Sequence, residues 1–156
     1  MTHSIEKKLY PFSDLDLHLW HDIIQLRERV FIVEQRCLYQ EVDGKDPYCH
    51  HIVFYCDNNL IAYTRIVPGT LAAQVQGGKG LPSIGRVVVK KEFRGQKMGY
   101  TLLKYAIEKT KDIHGDRSIF ISAQQHLSGF YSNLGFETIG EPYLEVGIPH
   151  SPMVLL

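Results

Sequence analysis

Between residues 92 and 103 the chain reads EFRGQKMGYTLL. Arg94 and Lys97 bring fixed positive charge, and Gly95 and Gly99 lack the side chains that would keep a ligand away from the backbone. The run before this stretch, 84–89, is apolar enough for a buried strand, and the residues after it repeat at helical spacing. A strand, a short charged glycine loop and a helix start together make a place for an anion. The amides of the first helical turn, from Lys97 to Tyr100, find no carbonyl one turn back, and the helix dipole favours negative charge there. Arg94, Gly95, Gln96, Lys97, Met98, Gly99 and Tyr100 are therefore the candidate ligands of a pyrophosphate. Lys97 is expected in the first helical turn, where φ is negative. The spacing matches neither the G-x-x-x-x-G-K-[ST] phosphate loop nor the G-x-G-x-x-G dinucleotide fingerprint. Taken alone, the loop is equally compatible with a solvated strand-to-helix connection.

Other reactive side chains are scattered. Cys49, His50, His51 and Cys56 invite a metal, but adjacent residues on a strand point to opposite faces and the spacing fits no zinc pattern, so no metal is expected. Cys37 has no activating neighbour in sequence. Arg86 is a lone charge inside an apolar strand, so it either reaches a carboxylate at the sheet edge or faces a cleft.

The elements that must position these groups follow from periodicity. Leu15, Leu19, Ile23, Leu26, Val30 and Phe31 recur at three- and four-residue steps, which predicts a helix capped by Ser13 or Asp14 and running to about Val33. HIVFYCDNNLIAYTRIV predicts a hairpin with strands over 51–56 and 60–67 around Asp57-Asn58-Asn59. A long glycine- and proline-bearing loop follows over 68–83. Then come a strand over 84–89, a helix over 97–113, a strand in RSIFISA, a short helix over 127–134, and strands over 136–139 and 153–156, with 143–148 an extended candidate between them. This order predicts one mixed α/β domain over 1–156, with a central sheet flanked by helices.

The bulk numbers agree with a single domain. The chain has 156 residues, of which 44% are apolar and 22% charged, as in a folded globular protein rather than a disordered or fibrous one. Formal net charge is zero, which argues against a general nucleic-acid binder. No apolar run approaches the ~20 residues that span a bilayer. Three cysteines without a framework pattern read as reduced thiols, and the expectation is a cytoplasmic protein that makes no membrane contact.

The segment VVVKKEFRGQKMGYTLLKYAIE resembles motif A of the GCN5-related N-acetyltransferases, a loop of the form Arg/Gln-x-x-Gly-x-Gly/Ala between a strand and a long helix. Arg94 takes the first position and Gly99 the last, while Lys97 stands where the family usually has the inner glycine. FISAQQHLSGFYSNLGFETIG resembles the family's next strand, helix and Phe-Tyr-x-x-x-Gly-Phe signature. Over nearly the whole chain, LRERVFIVEQRCLYQEVDGKDPYCHHIV, IGRVVV, AQQHLSGFYSNLGF and EVGIPHSPM are similar to the ElaA-like acyltransferases. The resemblance implies a mostly antiparallel mixed sheet whose central parallel strands splay to admit acetyl-CoA. It implies that Val87, Val88 and Val89 meet the pantetheine arm, that Arg94 to Tyr100 hold the pyrophosphate, and that Tyr131 lies near the thioester sulfur as the acid. The partners would be acetyl-CoA and an amine acceptor, with a homodimer as an open option. For the base, Glu34 leads, with Glu41, Asp43, Asp46, His51, Glu145, His150 and a water chain as alternatives. Gln124 and His126 would orient the helix that carries Tyr131. A module that binds acyl-CoA without turnover, as a sensor or interaction domain, is the alternative from another class.

Overall fold

In the computed structural model, residues 4–71, 78 and 80–156 are described; the rest of the glycine-rich 68–83 connection (72–77 and 79) lies outside them. Strands β1 (Ile5–Pro11), β2 (His50–Cys56), β3 (Asn59–Val67), β4 (Ser83–Val89), β5 (Ile119–Gln124), β6 (Glu137–Thr138), β7 (Tyr143–Glu145) and β8 (Ile148–Leu155) form one sheet. Its order is β1-β2-β3-β4-β5-β8-β6, with β7 also pairing β8. Only β4 and β5 are parallel among these pairs. Helices α1 (Leu17–Arg27), α2 (Met98–His114) and α3 (Ser128–Asn133) cover the sheet.

Strand alternation sorts the core onto two faces. Ile52, Phe54 and Ile66 pack with Leu102, Leu103 and Ala106 of α2. Val53, Tyr63 and Val88 pack with Ile23 and Leu26 of α1 and with Val30 just beyond it. No described helix is long and apolar enough to cross a membrane.

Three departures from the sequence reading have physical causes. Strand β1 was not foreseen because Lys7 interrupts the apolar side that Ile5 and Leu9 present to the core. Its stem lies along the sheet while its ammonium stands 5.6 Å from the Phe54 ring centre and 5.8 Å from that of Tyr105, so the lysine substitutes for an apolar residue. The cap of α1 is Asp16, whose Oδ1 accepts from Leu19 N at 2.7 Å, and not Ser13 or Asp14, which lie in a preceding 3₁₀ turn. The α-helix also ends earlier than periodicity suggested, because Glu28–Glu34 winds as a π-helix. Gln35 N donates to Val30 O and Cys37 N to Ile32 O, each five residues back. This wider turn carries Val30, Phe31 and Glu34 to the edge of the main cleft.

That cleft exists because two strands part. Ser83 and Phe120 are the one registered pair between β4 and β5, supported by Phe120 N donating to Pro82 O at 2.9 Å. Beyond that pair the strands diverge. On its other side β4 carries an extra residue: Arg65 pairs with Gly85 but Tyr63 with Val88. This β-bulge bends β4 and accentuates its twist. Arg86 sits in it with φ of 52°, a left-handed conformation that a non-glycine residue adopts only under constraint.

Candidate functional site

The gap between β4 and β5 opens into a cleft of about 550 Å³. Its walls come from the π-helical turn, β4, β5, the start of α3, and the β7–β8 turn. Three stations bear on it, the first following the lining residue Arg94 in the chain and the other two on its walls.

The first is the start of α2. Met98, Gly99 and Tyr100 begin the helix without a side-chain cap, and the first helical bond is Thr101 N to Lys97 O at 3.1 Å. Their amides therefore point outward unsatisfied by the helix itself. Gly95 has φ of 83°, and Lys97 is the N-cap with φ of 59° and ψ of 22°. Lys97 thus does not occupy the relaxed first-turn conformation expected of it. It takes the left-handed shape that a glycine adopts freely, and this strain is of order 1 kcal/mol. A methyl group built on Gly99 would meet only the tip of Phe130, at 3.7 Å. The protein's own packing does not demand a glycine there, and the open space beside it would admit an outside group.

The second station is the splayed edge of β4. Lys90 N donates to Ile61 O, so Lys90 and, by alternation, Val88 turn their main-chain groups toward β3. Val87 and Val89 turn theirs toward the gap. The Val88 side chain is buried against α1. Of the three valines, Val87 and Val89 are placed to pair with an extended ligand through main-chain groups. Arg94 Nε donates to Val89 O at 2.9 Å, and Arg94 Nη2 to Glu34 Oε2 at 2.9 Å. The arginine nominated for phosphate and the carboxylate nominated as base are thus bound to each other across the cleft.

Tyr131 lines the same cleft from α3 and is itself 6% exposed. Its ring is wedged edge-on against Phe130 and Phe136, with centroids 5.1 and 6.0 Å away. Burial pushes its hydroxyl up to about 12, so it keeps its proton throughout the neutral range.

The third station is a block of charge. Arg27 is fully buried; Nε donates to Glu41 Oε2 at 2.8 Å and Nη1 to Asp46 Oδ1 at 2.8 Å. Arg65 Nη1 reaches Asp46 Oδ1 at 2.9 Å and its Nη2 reaches Asp43 Oδ2 at 2.6 Å. Arg86 pairs with Glu41 and, at 3.4 Å, with Asp43. Three guanidiniums face three carboxylates, and the residue 35–49 loop is tied to β3 and β4 by the set. Burial alone would raise the Asp43 carboxyl, but the hydrogen bonds and charge of Arg65 outweigh it and hold that group well below the usual range. Asp46 is lowered in the same way, burial being overcome chiefly by Arg27. Arg86, singled out in the sequence, does both things considered for it: it reaches carboxylates and it lines the cleft.

Several base candidates are corrected here. His51 is fully buried; Nε2 lies 3.0 Å from Asp46 O and Nδ1 2.7 Å from Tyr63 Oη, so neither nitrogen is available to a substrate. Burial lowers its pKa to about 4, which keeps it neutral. Glu41 and Asp46 are locked in the arginine block. Glu145 and His150, by contrast, line the cleft, as do Gln124 and His126. Gln124 Nε2 lies 3.5 Å from Gln35 Oε1, bridging the two walls. Cys37 Sγ lies 3.7 Å from Val146 O.

Sequence reasoning missed Arg27, Arg65, Ser122 and Tyr143. A signal existed for the arginines: Arg65 is a lone charge within an apolar segment, as Arg86 is, and Arg27 falls on the apolar stripe of its helix, four residues after Ile23 and three before Val30. None existed for Ser122 and Tyr143, which meet only because β7 folds back on β8 beside β5.

Known proteins share this arrangement. A family model described as an acetyltransferase (GNAT) domain matches residues 21–156. A UPF0039 protein of Synechocystis sp. is 36% identical over 145 residues, which is 92% of this chain and 90% of that one. Protein ElaA of Escherichia coli is 37% identical over 145 residues, 90% of each chain. The crystal structure of E. coli ElaA superposes with a TM-score of 0.87 over 98% of this chain and 100% of that one. An acyl-CoA N-acyltransferase from Pseudomonas aeruginosa superposes with a TM-score of 0.89 at 36% identity, again over 98% and 100%. With a splayed sheet, an uncapped helix start at the gap and these relatives, the chain belongs to the GNAT acyltransferase family, in the branch that holds ElaA.

Proposed function

We propose that the protein transfers an acetyl group from acetyl-CoA to an amine of a small molecule or peptide, by direct attack within a ternary complex. The observation that carries this reading is the splayed edge of β4, where Val87 and Val89 line one cleft with Tyr131 and from which the chain leads through Arg94 to the unsatisfied amides at the start of α2. The pyrophosphate would lie on the loop formed by Arg94, Gly95, Gln96, Lys97, Met98, Gly99 and Tyr100. The pantetheine arm would extend β4 as an extra half-strand, using the main-chain groups that β5 leaves unpaired.

In the reaction the amine nitrogen forms a bond to the thioester carbonyl carbon, and the carbon–sulfur bond breaks. Main-chain amides of the bulged β4 would steady the carbonyl oxygen as it gains charge. Tyr131, holding its proton to high pH, would donate a hydrogen bond to the departing thiolate. The amine must give up a proton, and of the three carboxylates that line the cleft, Asp43 is tied to Arg65, which leaves Glu34 and Glu145 on the acceptor side. Glu34 is engaged by Arg94 until Arg94 turns to phosphate.

Calorimetric titration with acetyl-CoA tests the donor site, with 3′-dephospho-CoA and acetate as controls. Thiol release on adding simple amines tests turnover. Binding in the micromolar range followed by amine-dependent thiol release supports the reading. Binding without release would leave an acyl-CoA sensor, and no binding by the folded protein would end both. Tyr131→Phe is expected to lower kcat by about 10- to 100-fold while leaving the acetyl-CoA dissociation constant nearly unchanged. An unchanged kcat would remove Tyr131 from the chemistry.

A further inference from the structure

His150, Glu145 and Glu34 all line the cleft. Residues Ile148 and His150 alternate on the cleft side of β8, and Phe120, Ser122 and Gln124 on the cleft side of β5. The His150 ring is largely buried and lies nearly parallel to that of Tyr143. Its Nδ1 lies 2.8 Å from Ile148 O. A carbonyl oxygen only accepts, so Nδ1 carries the proton and the neutral ring presents its lone pair at Nε2. Nε2 stands 3.5 Å from Glu145 Oε2. The other Glu145 oxygen accepts from Ser122 Oγ at 2.8 Å, and Ser122 in turn is hydrogen-bonded by Tyr143 Oη. A tyrosine–serine–carboxylate chain therefore fixes Glu145 beside the one basic atom of an imidazole that lines the cleft. The other groups on the adjoining β5 wall are neutral, namely Ser122 and Gln124. The charges on the remaining cleft walls are Glu34 with Arg94, Asp43 with Arg65, Arg86 and Lys45.

We infer that His150 Nε2 is the general base for the acceptor amine, with Glu145 stabilising the imidazolium that forms. This rests on the acyl-transfer reading. An alkylammonium acceptor gives one proton to Nε2, the freed lone pair forms the carbon–nitrogen bond, the carbon–sulfur electrons leave with the thiolate, and the second proton that the nitrogen sheds in becoming an amide goes to that sulfur through Tyr131 or solvent. The next turnover begins when the imidazolium passes its proton to solvent past Glu145, whose carboxylate is partly exposed. Glu34, one oxygen of which is held by Arg94, is left to position that arginine.

The test uses acetyl-CoA with two acceptors: n-butylamine, which is protonated at neutral pH, and hydroxylamine, which is not. In His150→Gln, thiol release with n-butylamine is expected to fall about 100-fold, and with hydroxylamine by less than about 3-fold. Raising the pH should restore the n-butylamine rate, because the amine then loses its proton unaided. Acetyl-CoA affinity should be unchanged, which also reports that the variant folds. In Glu145→Gln, the n-butylamine rate is expected to fall about 10-fold at neutral pH and the hydroxylamine rate by less than about 3-fold, since the imidazolium that forms in the reaction loses its anionic neighbour. Equal losses with both acceptors, or no loss with either, overturn the assignment of His150. Absence of thiol release from the wild-type protein with acetyl-CoA bound overturns the acyl-transfer reading itself, and the base with it.

Discussion

The two ends of the cleft are built on opposite plans. At the α2 end the groups on display are main-chain amides and carbonyls, presented by an uncapped helix and a half-paired strand. At the far end the wall is a block of buried side-chain charge, with Arg27, Arg65 and Arg86 set against Glu41, Asp43 and Asp46. A main-chain site tolerates most changes of side chain, because the ligand reads atoms every residue has. The buried part of an ion network, here Arg27, Arg65, Glu41 and Asp46, tolerates almost none, because each charge removed leaves a buried partner without its counter-charge. Changes at the first end should therefore act, where they act at all, on binding and not on folding, and changes at the second on folding.

Asp46→Ala tests the second end most severely. Asp46 is 1% exposed and shares its oxygens between Arg27 and Arg65. Its loss leaves two buried guanidiniums short of an anion, and destabilisation of about 3–5 kcal/mol is expected. Urea unfolding at neutral pH measures it. A loss below about 1 kcal/mol, the range of an exposed ion pair, would show that water enters the block and that the contrast drawn above is false.

The same region sets the pH dependence of stability. His51 has its pKa lowered by burial from 6.5 to about 4. Between those values the unfolded chain binds a proton that the folded protein refuses, so stability falls as pH drops through this window. At 1.36 kcal/mol per unit, the loss is about 3 kcal/mol by pH 4. Below that, Asp43 and Asp46, both held low in the fold, take up protons first in the unfolded chain and extend the decline. Unfolding free energies at pH 7 and pH 4.5, compared between wild type and His51→Gln, check this. The wild type should show the steeper fall, and parallel curves would remove His51 as its source.

At the donor end the expected effects are on binding. Gly99→Asp places a carboxylate where the proposed pyrophosphate lies, with Phe130 the one described neighbour within 4 Å of the new Cβ. Acetyl-CoA affinity should weaken at least about 10-fold, or about 1.4 kcal/mol, with unfolding stability nearly unchanged. Equal affinity in the two proteins would place the phosphates elsewhere.

This contrast also explains what the sequence made legible. A main-chain site is specified locally, by where glycines and helix starts fall along a dozen residues, and 92–103 carried that information in one reading frame. Strand β4, helix α2 and the order of elements after them were readable for the same reason. The ion block is assembled from residues 27, 41, 43, 46, 65 and 86, and no local rule relates them. Arg27 lay on the apolar stripe of a predicted helix and was passed over. Lys7 hid β1 by standing where an apolar residue was expected. The π-turn at Glu28–Glu34 left the helical spacing of Val30 and Phe31 intact, so periodicity could not reveal it. Ser122, Tyr143, Glu145 and His150 converge only through the pairing of β8 with both β5 and β7.

The smallest effect concerns the residue at which the two plans meet. Lys97 is a charged side chain in a loop that otherwise works through its backbone, and it is held at φ of 59°. Replacing it with glycine relieves a left-handed strain of order 1 kcal/mol, but glycine also gains conformational freedom in the unfolded chain. The two contributions nearly cancel, so Lys97→Gly is expected to change stability by less than about 1 kcal/mol. Binding separates the roles of side chain and backbone. If the Lys97 ammonium meets phosphate, the glycine variant should bind acetyl-CoA a few-fold more weakly at low salt, and its affinity should fall less steeply as salt rises. If the backbone alone does the work, affinity and salt dependence should both match the wild type. In that case lysine is merely tolerated at a position whose geometry suits glycine, and the donor end is a main-chain site throughout.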